Sequence, residues 1–432
     1  MTSESTINQG RRRLVALTGA SLAVGMFPNP LLAQANAMNF MSFSYAEEPN
    51  KPTIEKLLAD FKTASGVTVE PIGTAWGDTQ KNVLLRQRSK TLPQAVQLQD
   101  RWLPSMAQLP EMVDLDALLG RSEIEAALDP SVLGMARVGG KTVGLPIISG
   151  SVGMLANREV LAKAGITRIP VTLDEFRAAL VTVRDKVPNS VPFAMATKNP
   201  GSIPLDVLIM FWAHGGRMID DSGKVLVNSA EGRAAMDFMA GLMKDRLVAP
   251  EIDRPDARRL FGQGSAAFYI DAPAARTFAR SFSGRGEAAD AFVQPIPTPV
   301  LKVGDRSRSI EWGHIVSLFS STPLPKDGPS AQWMRYLLTD AVQGTLPLKL
   351  GGLPGTRGGR ATSAVQGDAF LKAWAAAVGT TGKHEVAIWS NGPELSTILA
   401  EETQAALLGQ KSGSAAAGAM HSRMETSMAK RS

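Results

Sequence analysis

The four histidines, His214, His314, His384 and His421, lie far apart in the chain. None forms the His-Glu-x-x-His spacing that places two imidazoles on one helix face for a metal. Cysteine is absent, which excludes thiolate nucleophiles, disulfides and cysteine metal sites. Ser149-Gly150-Ser151-Val152-Gly153 falls short of a nucleophile elbow because Ser149 stands where the first glycine is required. Gly409-Gln410-Lys411-Ser412 matches only the tail of a phosphate loop, without the glycine pattern or strand that should precede it. Carboxylate pairs arise in any chain with 40 Asp and Glu residues, and a glycosidase needs two of them at a set distance across a bond, which sequence separation does not fix. No metal, cofactor or catalytic residue is therefore expected.

Arginine and tryptophan suit a different task, the holding of a polar solute. Arg357 follows Gly351-Gly352-Leu353-Pro354-Gly355-Thr356, and a guanidinium near glycine amides can receive a carboxylate, phosphate or sulfonate. Arg101 offers the same chemistry; the alternative for both is a solvated surface arginine. Indole rings such as those of Trp76, Trp102, Trp312 and Trp389 can stack on the apolar face of a small molecule or simply pack a core.

These residues must be placed by a long chain with an export signature. Arg11-Arg12-Arg13 precedes an apolar run from Leu14 to Phe27, then Pro28, Pro30 and the small-residue exit Ala33-Gln34-Ala35-Asn36-Ala37. Basic start, short apolar stretch and Ala-x-Ala sites make a secretory signal over residues 1–37, and the arginine run has twin-arginine character. The apolar run is shorter than the roughly 20 residues of a membrane span. Removal of residues 1–37 takes three Arg and one Glu, lowering the formal charge from +6 to +4. No basic block accompanies this mild charge, which argues against nucleic acid as a partner. The remaining chain of about 395 residues exceeds the roughly 250–300 at which one core usually splits, so two domains are expected.

The chain alternates between strand and helix patterns. Asn39–Tyr45 reads as a first strand, and Pro52 opens a helix with Ile54, Leu57, Leu58 and Phe61 on one face. After Gly66 a second strand begins at Val67, suggesting a parallel sheet with a crossover helix. Thr142–Leu145 is strand-like and should stop at Pro146. Thr172-Leu173-Asp174-Glu175 has the form of a capping box, and Asn228 or Ser229 can cap a later helix. Ala266–Ile270 and Ile315–Phe319 are apolar strands. An apolar-faced helix spans about 395–408, and the Ala/Gly/Ser-rich stretch beyond it suits a last surface helix.

In this order the segments resemble the family 1 extracellular solute-binding proteins of bacterial ABC importers, the sugar-type, maltose-binding-protein-like family. The resemblance is carried by Gly140–Pro146, Met154–Gly165, Pro170–Phe176, Gly215–Lys224, Phe261–Phe268 and Gly351–Gly355. It implies an α/β, periplasmic-binding-protein-like fold of two discontinuous lobes with a hinge and a ligand cleft between them. The lobes would comprise residues 38–146 plus 314–354 and residues 147–313 plus 355–432. It further implies a monomeric periplasmic receptor that closes on a sugar or polyol and delivers it to a membrane permease, without enzymatic activity or cofactor. An acidic or phosphorylated ligand is one alternative, and a secreted carbohydrate-active hydrolase is another.

The resemblance also nominates contact positions. Gln99 and Asp100 follow the Ala95–Leu98 strand where sugar binders place polar contacts, with Arg101 and Trp102 beside them. Ser44 and Glu47 follow the first strand, and Ser149 and Ser151 follow the first crossing between lobes, where the family's carboxylate is missing. Asp271-Ala272-Pro273-Ala274 matches a family turn in which Ala274 replaces a stacking tryptophan. Trp312 and His314 mark the return crossing and suit either ligand contact or hinge packing. Trp76 and Trp389 would wall the cleft from opposite lobes, and Arg357 or Arg101 would serve an acidic ligand.

Overall fold

The computed structural model describes residues 36–430; the expected twin-arginine signal lies outside them, apart from its last two residues. The chain opens on β1 (Ala37–Ser42), α1 (Lys51–Ser65) and β2 (Thr68–Gly73). β1 and β2 pair in parallel, and β3 (Ala95–Gln99) joins the other side of β1, also in parallel. In α1 the buried residues are Ile54, Leu57, Leu58 and Phe61, the stripe that the i, i+3, i+4, i+7 spacing predicts. The helix ends where Gly66 adopts φ 72, a left-handed conformation that costs glycine nothing.

The first strand is shorter than its sequence suggests. It stops at Ser42, whose hydroxyl accepts the Tyr45 N–H at 3.1 Å and caps the helical turn Phe43–Ala46. Ser44 and Glu47 thus stand on a turn at the carboxyl end of β1 rather than on extended chain.

Two long strands join the halves of the molecule. β4 (Leu145–Asn157) has 13 residues. Beyond it come β5 (Val191–Ala194), β6 (Ala266–Asp271), β7 (Val293–Ile296), the 11-residue β8 (Arg308–Leu318) and β9 (Thr380–Gly382). The sheet order is β2-β1-β3-β8-β4-β6-β5, with β7 on β4 and β9 on β8. The carboxyl half of β8 pairs antiparallel with β3, from His314 opposite Gln99 to Leu318 opposite Ala95. The carboxyl half of β4 pairs with β6, and β6 lies parallel to β5. Between these attachments β4 and β8 run antiparallel to each other. They are the crossings of a two-lobed α/β fold.

Pro146 does not end a strand, contrary to the expectation. It lies at the second residue of β4, opposite Ile315, where the register shifts between His314 and Ile315. A proline is tolerated near a strand's start and at a bulge, where no regular ladder bond is required from its nitrogen.

Helices cover the second lobe: α2 (Leu173–Lys186), α3 (Ile203–Ala213), α4 (Ala230–Lys244) and α5 (Arg254–Gly262), followed by α6 (Gly392–Leu407) and α7 (Gly413–Ala429). The Thr172–Glu175 capping box forms in both directions at the start of α2, and Ser229 rather than Asn228 caps α4. α7 is the helix its alanines favour, yet it is more than a surface element. Ala416, Ala417, Met420 and Met424 are buried, and α7 packs on both α4 and α6. Its approach is close enough that a Cβ on Gly413 would strike the backbone at Met236 and Asp237.

Candidate functional site

β3 delivers two glutamines of one face to the cleft. Gln97 and Gln99 are two residues apart, so both point to the same side of the sheet, and both are fully buried. The Gln97 amide is saturated: its Oε1 accepts from Ser42 Oγ at 2.6 Å, and its Nε2 donates to Ser44 Oγ at 2.9 Å and lies 3.0 Å from His314 Nδ1. His314 lies edge-on between Phe43 and Trp312, with ring centroids 4.8 and 4.6 Å away. Burial and the nearby Arg258 and Arg101 charges push its pKa down to about 3, so it is neutral at any physiological pH.

A 3₁₀ turn, Asp100–Trp102, follows β3 directly. Asp100 Oδ1 accepts the Gly313 N–H at 3.0 Å, tying the turn to β8. Burial raises the Asp100 pKa to about 7, with Glu311 adding to the rise and Arg101 opposing it. Arg101 is buried between two indoles, its Cζ 5.3 Å from the Trp76 ring centroid and 5.2 Å from that of Trp102. Its Nη1 donates to Gln99 Oε1 at 2.8 Å, whereas its Nη2 and the Gln99 Nε2 are buried without a partner.

Glu47 reaches the second lobe. Its Oε1 accepts from Arg258 Nη1 at 2.6 Å, while Arg258 Nε donates to Asp271 Oδ2 at 2.9 Å. Asp271 also accepts from the Tyr269 hydroxyl and from the Ala272 N–H. The Arg258 guanidinium lies 3.9 Å from the Phe278 centroid. Burial raises the Glu47 pKa against the pull of Arg258. Burial also works on Asp271, but Arg258 and Arg254 outweigh it and hold that carboxyl below its ordinary range.

His384 joins Arg101 from the other side. Its segment is anchored by Glu385, which accepts from Trp212 Nε1 at 2.9 Å, Arg217 Nε at 2.8 Å and the Met218 N–H at 2.7 Å. His384 Nδ1 accepts the N–H of Ala387 at 3.2 Å and of Val386 at 3.4 Å, which leaves the proton on Nε2. That Nε2 is buried and unpartnered. Burial and the neighbouring Arg101 charge lower the His384 pKa to about 3. A cavity of about 400 Å³ opens beside Arg101, Trp102 and His384, bounded by Lys81, Asn199 and Pro204 among others. Its size is that of a small-molecule site.

Other nominated residues lie elsewhere. Ser149 is held at the crossing, where its hydroxyl accepts from Arg360 Nη2 at 2.8 Å, and Ser151 accepts from Trp374 Nε1 at 3.0 Å. Trp312 stands opposite Gly150 in the β4–β8 ladder and packs close to Gly352, against which a Cβ would come within 3.3 Å. Trp389 is half-buried and donates to Glu385 O at 2.8 Å. Arg357 is exposed and donates to the carbonyls of Glu125 and Ala126, at the end of the Arg121–Ala127 helix. It is not brought together with Arg101.

Gln97, Arg258 and His384 escaped the sequence reading. Gln97 carried a usable signal, since its amide falls in an otherwise apolar strand and a buried amide requires partners. Arg258 and His384 carried none, because their neighbours are distant in sequence. Among the described residues no cluster suited to a metal ion occurs, and no helix is long and apolar enough to cross a membrane.

The description "bacterial extracellular solute-binding protein" belongs to a family whose pattern matches residues 45–344. A binding protein of Brucella abortus is 29% identical over 183 residues, covering 40% of this chain and 42% of the relative. The chain therefore matches less than half of that relative's length. Among solved structures, the GacH receptor of Streptomyces glaucescens, studied unliganded and with acarbose, superposes with a TM-score of 0.77 at 18% identity, over 92% of this chain and 99% of that one. An ABC transporter solute-binding protein of Thermotoga lettingae bound to α-D-tagatose gives a TM-score of 0.78 at 17% identity, over 91% and 100%. Crossing strands, an interlobe polar cluster and a family match through both lobes lead to one assignment: the chain belongs to the bacterial extracellular solute-binding proteins, which bind solutes rather than transform them.

Proposed function

We propose that this protein works in the periplasm as a monomeric receptor of an ABC importer, closing its lobes on a sugar or polyol and presenting it to the membrane permease. The observation that carries this reading is the Glu47–Arg258 bridge, which joins the lobes at 2.6 Å, together with the buried, unpartnered Gln99, Arg101 and His384 nitrogens. A cleft that brings such groups out of water favours a solute able to satisfy them. The sugars named for the GacH and Thermotoga lettingae proteins support a carbohydrate class. The lobes are residues 38–146 with 314–354 and residues 147–313 with 355–432. The contacts of Arg357 and Arg360 with Glu125, Ala126 and Asp129 favour moving the last boundary past Ala361.

Thermal-shift screening of sugars and polyols, followed by mass spectrometry of the recovered ligand, tests the proposal. A bound ligand at 100 times its Kd stabilises by about 2.7 kcal/mol through mass action, and the ligand should return unaltered. Appearance of a hydrolysed product, or no shift with any such solute, overturns the reading.

A further inference from the structure

Among the described residues four arginines are buried: Arg101, Arg254, Arg258 and Arg276. Three of them hold a carboxylate. Arg254 pairs with Asp206 at 2.5 Å, Arg258 with Glu47 and Asp271, and Arg276 with Asp368 at 2.7 Å. Arg101 has no carboxylate within salt-bridge distance among the described residues, although it is only 4% exposed. A buried cation without an anion is costly, and proteins seldom leave one so. The adjacent Asp100 does not supply the missing partner in the ion-pair sense, since its Oδ1 is turned to the Gly313 N–H.

The unpartnered side-chain atoms around Arg101 have one polarity, although the Asp100 carboxyl lies beside it and Asp78 also lines the cavity. Its Nη2, the Gln99 Nε2 and the His384 Nε2 are all buried and unpartnered, and each is a hydrogen-bond donor once the Gln99 Oε1 has accepted from Arg101 and the His384 Nδ1 has accepted from backbone N–H groups. The guanidinium is held by Gln99 and by the two indoles, so its free edge is preorganised. Arg101 and His384 both line the 400 Å³ cavity. A neutral hydroxyl accepts from such donors but must still place its own proton on an acceptor, whereas an oxyanion only accepts and is matched by a donor set throughout.

We propose that the cleft takes an anionic sugar or polyol, whose oxyanion sits on Arg101 and accepts further hydrogen bonds from Gln99 and His384. This rests on the reading of the cleft as the solute site and narrows its ligand class. A carboxylate and a phosphate share the required chemistry, and the test separates them.

Isothermal titration of the purified protein should compare glucose and sorbitol with glucuronate, gluconate and glucose 6-phosphate, and extend the same pairing to galactose and galacturonate. At least one acid or phosphate should bind ten times or more tighter than its neutral parent, and the carboxylate and phosphate arms show which oxyanion is preferred. Arg101→Gln should weaken that ligand by tenfold or more, Arg101→Lys less, and His384→Ala by at least threefold, while Arg357→Ala leaves the affinity unchanged. Should Arg101→Gln fail to fold, the wild-type ratio between acid and neutral parent still decides. Neutral sugars binding as well as every acid would overturn the anionic assignment and leave sugar capture standing. No binding by any of these solutes would overturn the anionic assignment as argued, and sugar capture itself would then stand or fall with the wider thermal-shift screen.

Discussion

Arg258 holds Glu47 at 2.6 Å and Asp271 at 2.9 Å, so one guanidinium keeps apart two carboxylates that come from opposite lobes. Glu47→Gln should be mild, because an amide oxygen can still accept from Arg258 and a buried negative charge is lost. Arg258→Leu should be severe, since it leaves Glu47 and Asp271 facing each other without a cation; removing one partner of a buried pair costs about 3–5 kcal/mol. Chemical denaturation of both variants measures the difference. Equal losses would show that Arg258 is held by packing on Phe278 rather than by charge.

The lobe rims meet through glycines. A Cβ on Gly77 would lie 2.7 Å from Asn199 Nδ2, a side-chain atom able to move, while a Cβ on Gly201 would lie 2.7 Å from the Gly77 carbonyl oxygen, which belongs to backbone. Gly201→Ala should therefore hinder closure more than Gly77→Ala. The expected outcome is a several-fold loss of ligand affinity for Gly201→Ala and a larger radius of gyration by X-ray scattering in the presence of ligand, with thermal stability of the ligand-free protein little changed.

Two opposed pH dependences are built into the cleft. The raised Asp100 pKa, about 7, means that its folded form retains a proton that the unfolded chain has lost; this contribution is full below pH 3.8 and is lost as pH rises through 7. Asp100→Asn should then stabilise the protein at pH 8 relative to wild type more than at pH 5, as read from Tm. The lowered pKa values of His314 and His384, about 3 each, act in the other direction. Their contribution is full above pH 6.5 and is lost as pH falls toward 3. His314→Gln should flatten the acid limb of the Tm profile, and an unchanged limb would remove His314 as its cause.

Trp333 is fully buried beside Phe61 and Phe40, with centroids 5.0 and 5.6 Å away, and its Nε1 has no partner. Trp333→Ala should cost about 3–5 kcal/mol through the cavity it opens. Trp333→Phe should cost less than about 1.5 kcal/mol, because it removes an unsatisfied donor along with the lost volume. Equal losses for the two variants in urea denaturation would contradict this.

Local patterns were legible wherever an element could be recognised from its own residues. The stripe of α1, the Thr172–Glu175 capping box and the apolar strand at Ala266 follow from short-range periodicity and capping chemistry, which neighbouring residues settle among themselves. Pro146 misled because its effect depends on the strand opposite: the shift in register at His314 lets β4 begin at a proline and continue for 13 residues. Ser42 likewise ended β1 through a side-chain bond that alternation of apolar residues does not reveal.

The class of the molecule is written in its residues: no cysteine or catalytic motif, enough chain for two lobes, a strand–helix alternation, and the segments that resemble its family. The sequence also placed Gln99, Arg101 and Trp102 together, since they are adjacent in the chain. Which residues complete them was settled by the folding of the whole chain. It brought His384 to Arg101 across 283 positions of chain, gave Arg258 to Glu47 from 211 positions away, and sent Arg357 to a helix end instead of the cleft. Those outcomes depend on how two lobes fold back through β4 and β8, and contacts of that range follow from packing the whole chain, not from the spacing of any part of it.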